Sequence, residues 1–205
     1  MNVNVRIVLD EATPMVAKAL ANDGSGAVTW IADAIRWAAD KGADVISMSL
    51  GGPSRDQYIP PALEYAESLG VIVVAAAGNE GPGSNTVGYP GGYPQCVAIG
   101  ATDIQNMIAR FSSRGQQVYA VSPGVNITSQ YPGGREATMS GTSMATPHLA
   151  GAAGLWVGAN PSIDKKTRPS VFKAKLRDVC ADLGPAGRDP NYGWGFPDLA
   201  KLVAG

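Results

Sequence analysis

The sequence predicts an α/β fold, a doubly wound and mostly parallel sheet with helices on both faces. Two observations carry this expectation. Short apolar runs rich in Val, Ile and Ala recur at residues 3–9, 15–20, 44–50, 71–77 and 96–102, and runs this short and continuously apolar suit strands covered on both sides. Between them lie segments of helical periodicity, and alternating strand and helix builds a parallel sheet. Residues 27–41 place Ile31, Ala34, Ile35 and Ala38 at helical spacing and stop at Gly42, while residues 60–69 offer a second crossover helix.

The pattern changes at about residue 125. Ile127–Tyr131 and Arg135–Met139 flank Pro132-Gly133-Gly134, a hairpin signal that predicts an antiparallel ribbon. A helix is expected next, over residues 141–156. Its small residues, Gly141, Ala145, Ala150, Gly151, Ala152, Ala153 and Gly154, let it pack closely as a buried central helix. Pro161 closes it, residues 168–180 make another helix, and Tyr192-Gly193-Trp194-Gly195-Phe196 leads into a short terminal helix ending near Val203.

With 205 residues, of which 45% are hydrophobic and 16% charged, the chain reads as a single domain over residues 1–205 with an ample core. Its formal net charge is −1 with Lys and Arg scattered, so no field would recruit nucleic acid or an anionic membrane. The densest basic stretch, residues 165–177, is interrupted by Val171, Phe172 and Leu176, as on the wet face of an amphipathic helix. The partners expected are peptides or small molecules. Cys96 and Cys180 lie in an apolar run and a helical pattern, where buried free thiols are the commoner state; a disulfide stays open. Nothing near Met1 combines a basic start, an apolar stretch and a small-residue cleavage site, so the chain as written shows no export signal.

The segment Ser140-Gly141-Thr142-Ser143-Met144-Ala145-Thr146-Pro147-His148 opens the small-residue helix. A serine at a helix N-terminus has an exposed Oγ, with backbone N–H groups near enough to stabilise a tetrahedral anion. Ser143 is therefore the candidate nucleophile, against the plainer reading of a helix cap. Upstream, the run 71–77 ends in Gly78-Asn79-Glu80-Gly81, either a turn or a loop carrying chemistry where α/β folds place their sites.

In series, these motifs resemble the subtilisin-like serine peptidase family, and the likeness extends from about Glu11 to Val203. The nine residues around Ser143 match the family's nucleophile motif almost letter for letter. The resemblance implies that Asn79 donates to the oxyanion. It also implies that Ser49, Leu50, Gly51 and Gly52, with Ala76, Ala77 and Gly78, bind an extended peptide or protein substrate by β-augmentation. Thr86-Val87-Gly88-Tyr89-Pro90 and Tyr93-Pro94 look like the loop beside the specificity pocket, whose carbonyls in some relatives hold a weak cation. The corresponding carbonyls lie near Gly91, Tyr93 and Cys96. No other metal or cofactor is expected. Phe111-Ser112-Ser113-Arg114-Gly115 completes the likeness.

Two of the family's motifs are missing. A Ser-His-Asp mechanism needs an imidazole to take the serine proton and a carboxylate to orient it, and this sequence has a single histidine, His148. Five positions beyond Ser143, it lies about 140° round a helix and roughly 7.5 Å along it, so a structural role is expected. No His-Gly-Thr-His motif occurs. The N-terminal part of the family's domain, which carries it, is expected to be absent. Asp10 ends an apolar run as the family's aspartate does, but Glu11 follows where a small hydroxyl residue is expected, so Asp10 reads as an ordinary strand-end residue or a remnant of that site.

The gap leaves three readings open. The chain is part of a serine endopeptidase whose aspartate and histidine are encoded upstream, or a catalytically dead peptide-binding module, or an orphan fragment with an unpaired strand edge. Keeping both Ser143 and Asn79 favours the first. Alone, the chain is expected to be nearly inert. Localisation stays open, since relatives are usually secreted.

Overall fold

The structure, a computed structural model, describes residues 12–204. Its centre is a four-stranded sheet in the order β1-β2-β3-β4, made of β1 (Val45–Met48), β2 (Ile72–Ala76), β3 (Cys96–Thr102) and β4 (Val118–Pro123). Each neighbouring pair is parallel, so the connections must cross a sheet face. One face carries α1 (Val28–Asp40) and α2 (Ile59–Ser68); the other carries α3 (Thr142–Ala159), α4 (Arg168–Val179) and α5 (Leu199–Val203).

The pleat of β2 sorts the core. Val73 and Ala75 join Ile31, Ile35 and Leu63 on the α1–α2 side, whereas Ile72 and Val74 join Leu149, Trp156 and Phe172 on the α3–α4 side. All of β2 and β3 is buried, which is why both read as unbroken apolar runs. α3 touches all four strands and α5. It is the central helix that its small residues predict, with Trp156 meeting Phe172 edge to face at 5.2 Å.

The expected ribbon forms from β5 (Ile127–Tyr131) and β6 (Arg135–Met139), antiparallel, with Ile127 opposite Met139. A two-residue pair, β7 (Cys180–Ala181) with β8 (Phe196–Pro197), ties the end of α4 to the terminal segment. Gly195 there has φ +111°, and a Cβ would sit 2.0 Å from the Ala181 carbonyl oxygen, so only glycine fits.

Three expectations need correction. Residues 15–20 are not a strand. Met15 to Lys18 are exposed and join no ladder among the described residues, because an apolar run becomes a strand only where a neighbour supplies hydrogen bonds. β4 escaped the sequence reading, its short run hidden between Gln116-Gln117 and Pro123. α3 continues past Trp156 to Ala159, where the Asn160 side chain donates to the Trp156 carbonyl at 2.8 Å before Pro161. The run 3–9 and Asp10 lie outside the described residues.

Candidate active site

The site gathers at the C-terminal ends of β1 and β2, where open α/β sheets present their crevices. Ser49 follows β1, Asn79 lies three residues past β2, and Ser143 is the second residue of α3. Pro147 decides how the first two elements meet the third. Lacking an N–H, it gives no intrahelical donor to the carbonyl of Ser143, four residues earlier. Ser49 Oγ donates to that carbonyl instead, at 2.9 Å. In return Ser143 Oγ donates to the Ser49 carbonyl at 3.3 Å, so the hydroxyl rests on an acceptor too weakly basic to take its proton.

Asn79 is held from the far side of the cleft. The first N–H groups of a helix have no partner within it, and Asn79 Oδ1 accepts from Thr142 N at 2.9 Å. The same oxygen accepts from Thr142 Oγ1 at 3.0 Å, while Thr142 Oγ1 accepts from Gly78 N at 3.2 Å. With Oδ1 doubly engaged, the orientation of the amide is fixed. Its Nδ2 turns toward Gly141, where an added Cβ would lie 3.6 Å away, and makes no hydrogen bond among the described residues.

Gly78 has φ +110°, and a Cβ on it would come within 2.9 Å of Ser113 Oγ. That hydroxyl accepts from Glu80 N at 3.1 Å, and Ser113 N donates to the Gly78 carbonyl at 2.9 Å. The Phe111–Gly115 motif thus braces the Asn79 loop from behind. The neighbouring Ser112 Oγ accepts from Ala101 N, fixing the same motif to β3.

A cleft of about 380 Å³ opens beside Ser143 and Asn79. Ser49, bonded to Ser143, is not among its lining residues, whereas Leu50, Gly51, Gly52, Ala76 and Gly78, also expected to bind substrate, border it. Ala77 does not: it is fully buried, its N–H donating to Ile99 and its carbonyl accepting from Gly88. Gly52 borders the cleft but has no free backbone, since its N–H and carbonyl both pair with Tyr89. The free backbone on this side is therefore that of Leu50 and Gly51. Val87, from the loop expected beside the specificity pocket, also faces the cleft, as do Thr142 and Glu80, which lay within the quoted motifs without a role of their own. Of these, Thr142 had a legible signal, a hydroxyl at a helix start.

His148 is buried, and its Nδ1 meets the Met144 carbonyl of its own helix at 2.9 Å. That contact is of the kind the expected structural role requires. Near the loop expected to hold a cation, the Tyr93 carbonyl accepts from Cys96 N, and Lys173 Nζ donates to the carbonyls of Pro94 and Gln95 at 2.9 and 3.0 Å. The ammonium thus serves Pro94 and Gln95, not the carbonyls of Gly91, Tyr93 or Cys96. Among the described residues no three His, Cys, Asp or Glu side chains are grouped to hold a metal, and no helix is long and apolar enough to cross a membrane.

A parallel sheet flanked on both faces, with a serine at the start of its central helix and an asparagine loop opposite, defines a peptidase fold of the subtilisin type. The model of the subtilase family matches residues 2–195, and the chain belongs to that family. It is 44% identical over 163 residues to Subtilisin E of Bacillus subtilis, a match covering 78% of this chain and 43% of that protein. Subtilisin Savinase of Lederbergia lenta is 45% identical over 161 residues, covering 78% and 59%. Among solved structures, Sphericase superposes with a TM-score of 0.78 at 36% identity, covering 87% of this chain and 66% of its own. The chain thus spans about half the length of the curated relatives it matches.

Proposed function

We propose that this chain supplies the nucleophile and the oxyanion donors of a serine endopeptidase site acting on extended peptide or protein chains. The observation that carries the reading is the circuit Gly78–Thr142–Asn79, which engages Asn79 Oδ1 and leaves its Nδ2 unbonded in the cleft that Ser143 also lines. Ser143 Oγ attacks the scissile carbonyl. Asn79 Nδ2 and the N–H of Ser143, at the dipole-positive end of α3, meet the oxygen as it becomes negative. Leu50 and Gly51 offer backbone groups to the substrate strand.

The proton on Ser143 Oγ has no acceptor of adequate basicity among the described residues, because His148 is committed to Met144. The acid–base pair is therefore supplied from outside them, and the chain alone is nearly inert. In subtilisin itself, loss of the histidine lowers turnover by about 2 × 10⁶ and leaves catalysis about 10³ to 10⁴ above water. The reading requires no cofactor.

Fluorophosphonate labelling read by intact mass tests it. The chain alone is expected to label negligibly. Added imidazole, a diffusible base, accelerates labelling of Ser143, and Ser143→Ala abolishes it. Rapid labelling without imidazole would show that a base is already in place, and labelling that survives Ser143→Ala would refute the nucleophile.

A further inference from the structure

Asn79 sits between two peptide planes that a single residue holds. Ser113 N donates to the carbonyl of Gly78 at 2.9 Å, and Ser113 Oγ accepts from the N–H of Glu80 at 3.1 Å. The first bond fixes the plane entering Asn79 and the second the plane leaving it. Peptide units are rigid and planar, so fixing both leaves the φ and ψ of Asn79 little freedom, and the direction of its Cα–Cβ bond is set with them. Packing removes remaining slack: Gly78 approaches so closely that a Cβ there would lie 2.9 Å from Ser113 Oγ.

Ser113 is itself anchored. It is fully buried, as is Ser112, whose hydroxyl accepts from Ala101 N of β3 at 3.1 Å. On either side, the Phe111 carbonyl accepts from Gly81 N and the Arg114 carbonyl from Thr86 N, each at 2.8 Å. Through this segment the rigidity of the sheet reaches the Asn79 loop. Thr142 and Ser113 then have different tasks. Thr142 holds the tip of the asparagine side chain at Oδ1, whereas Ser113 holds its base. We propose that Ser113 is a positioning residue for the oxyanion donor, its N–H and hydroxyl together setting where Asn79 Nδ2 lies. The inference rests on the reading of Asn79 as that donor. Any residue but proline offers the N–H, so the part of the role that requires serine is the bond from Glu80 N to Oγ.

Imidazole-rescued fluorophosphonate labelling of four proteins tests it: the parent, Ser113→Ala, Asn79→Ala and the double variant. Ser113→Ala releases the plane leaving Asn79 and is expected to slow labelling about tenfold, part of the roughly 10² to 10³ known for this donor in subtilisin itself. In the Asn79→Ala background the same change is expected to have no effect. Equal slowing in both backgrounds would overturn the proposal, because Ser113 would then support the loop without acting through Asn79. Side-chain amide relaxation by NMR reads the positioning without any reaction. The order parameter of Asn79 Nδ2 is expected to fall in Ser113→Ala, while that of Asn160, bonded to Trp156, stays unchanged. An Asn79 amide equally rigid in both proteins would also overturn it. A parent that fails to label even with imidazole would sink the nucleophile reading instead, and relaxation would still decide on Ser113. The parent alone supplies a check that needs no variant: Glu80 N–H is expected to exchange at least about tenfold more slowly than an unbonded loop amide, and an unprotected Glu80 would overturn the proposal.

Discussion

Ser49 and Ser143, 94 positions apart, hold each other through a reciprocal pair of hydrogen bonds, hydroxyl to carbonyl in each direction, at 2.9 and 3.3 Å. The stronger of the two exists because Pro147 leaves the Ser143 carbonyl without a helical donor. Replacing Ser49 by Ala therefore strands that carbonyl, at an expected cost of about 0.5–1.5 kcal/mol. In a Pro147→Ala background the restored N–H satisfies the same carbonyl, and Ser49→Ala is expected to cost markedly less. Thermal or urea melts of the four proteins, combined as a double-mutant cycle, check the coupling. Additive effects would mean that Pro147 and Ser49 act independently.

The start of α3 was legible because a helix start has a local chemical signature, and the nine residues from Ser140 to His148 spell it without a gap. The buried strands β2 and β3 were equally plain, since burial on both faces leaves nothing but apolar side chains. What stayed hidden depends on partners distant in sequence. Residues 15–20 have strand composition but no ladder, and β4 has a ladder but an unremarkable sequence. Gly52 and Ala77 look like free substrate-pairing backbone in a motif, yet Tyr89 takes the backbone groups of Gly52, which still borders the cleft, and Ile99 and Gly88 take those of Ala77. None of these pairings is written in local spacing.

Thr142 positions Asn79 and is expected to matter in proportion. Thr142→Val removes the hydroxyl that donates to Asn79 Oδ1 and accepts from Gly78 N. It leaves a part-buried N–H unpaired, costing about 1–3 kcal/mol in stability. Asn79 keeps only the bond from Thr142 N, so its amide becomes free to turn. In an imidazole-rescued labelling assay, Thr142→Val is expected to slow the reaction, and Thr142→Ser to restore it. Asn79→Ala is expected to cost about 10² to 10³ in rate, the loss known for this donor in subtilisin itself rather than a value obtained from this chain. An Asn79→Ala protein that labels at the parent rate would remove Asn79 from the site.

Phe172 anchors α4 against α3. It is fully buried and meets Trp156 edge to face at 5.2 Å, among Leu149, Leu176 and Leu202. Truncation to Ala opens a cavity between two helices that the sheet holds apart, so the expected loss is about 3–5 kcal/mol. Phe172→Leu keeps most of the volume and is expected to cost far less. Chemical denaturation distinguishes them, and equal losses would mean that the site collapses freely.

Cys96 makes stability depend on alkaline pH. Its thiol is buried, and desolvation pushes its pKa up to about 12, with the nearby Lys173 ammonium pulling it down and Glu67 raising it by smaller amounts. In the unfolded chain a thiol loses its proton near pH 8.5. Between these values the folded state holds a proton that the unfolded state has released, so stability falls as pH rises, by up to about 1.4 kcal/mol per pH unit for one thiol. Cys180, also raised to about 12 by burial, adds in the same direction. Lys173 acts oppositely: burial lowers its pKa, so the unfolded state binds more protons there as the solution becomes alkaline. Urea melts from pH 8.5 to 10 in the parent and in Cys96→Ala separate the contributions. The parent is expected to lose stability more steeply than the variant across this range, and Cys96 to resist thiol reagents at pH 8 until the chain unfolds. Parallel pH slopes in the two proteins would show that Cys96 is hydrated in the folded state.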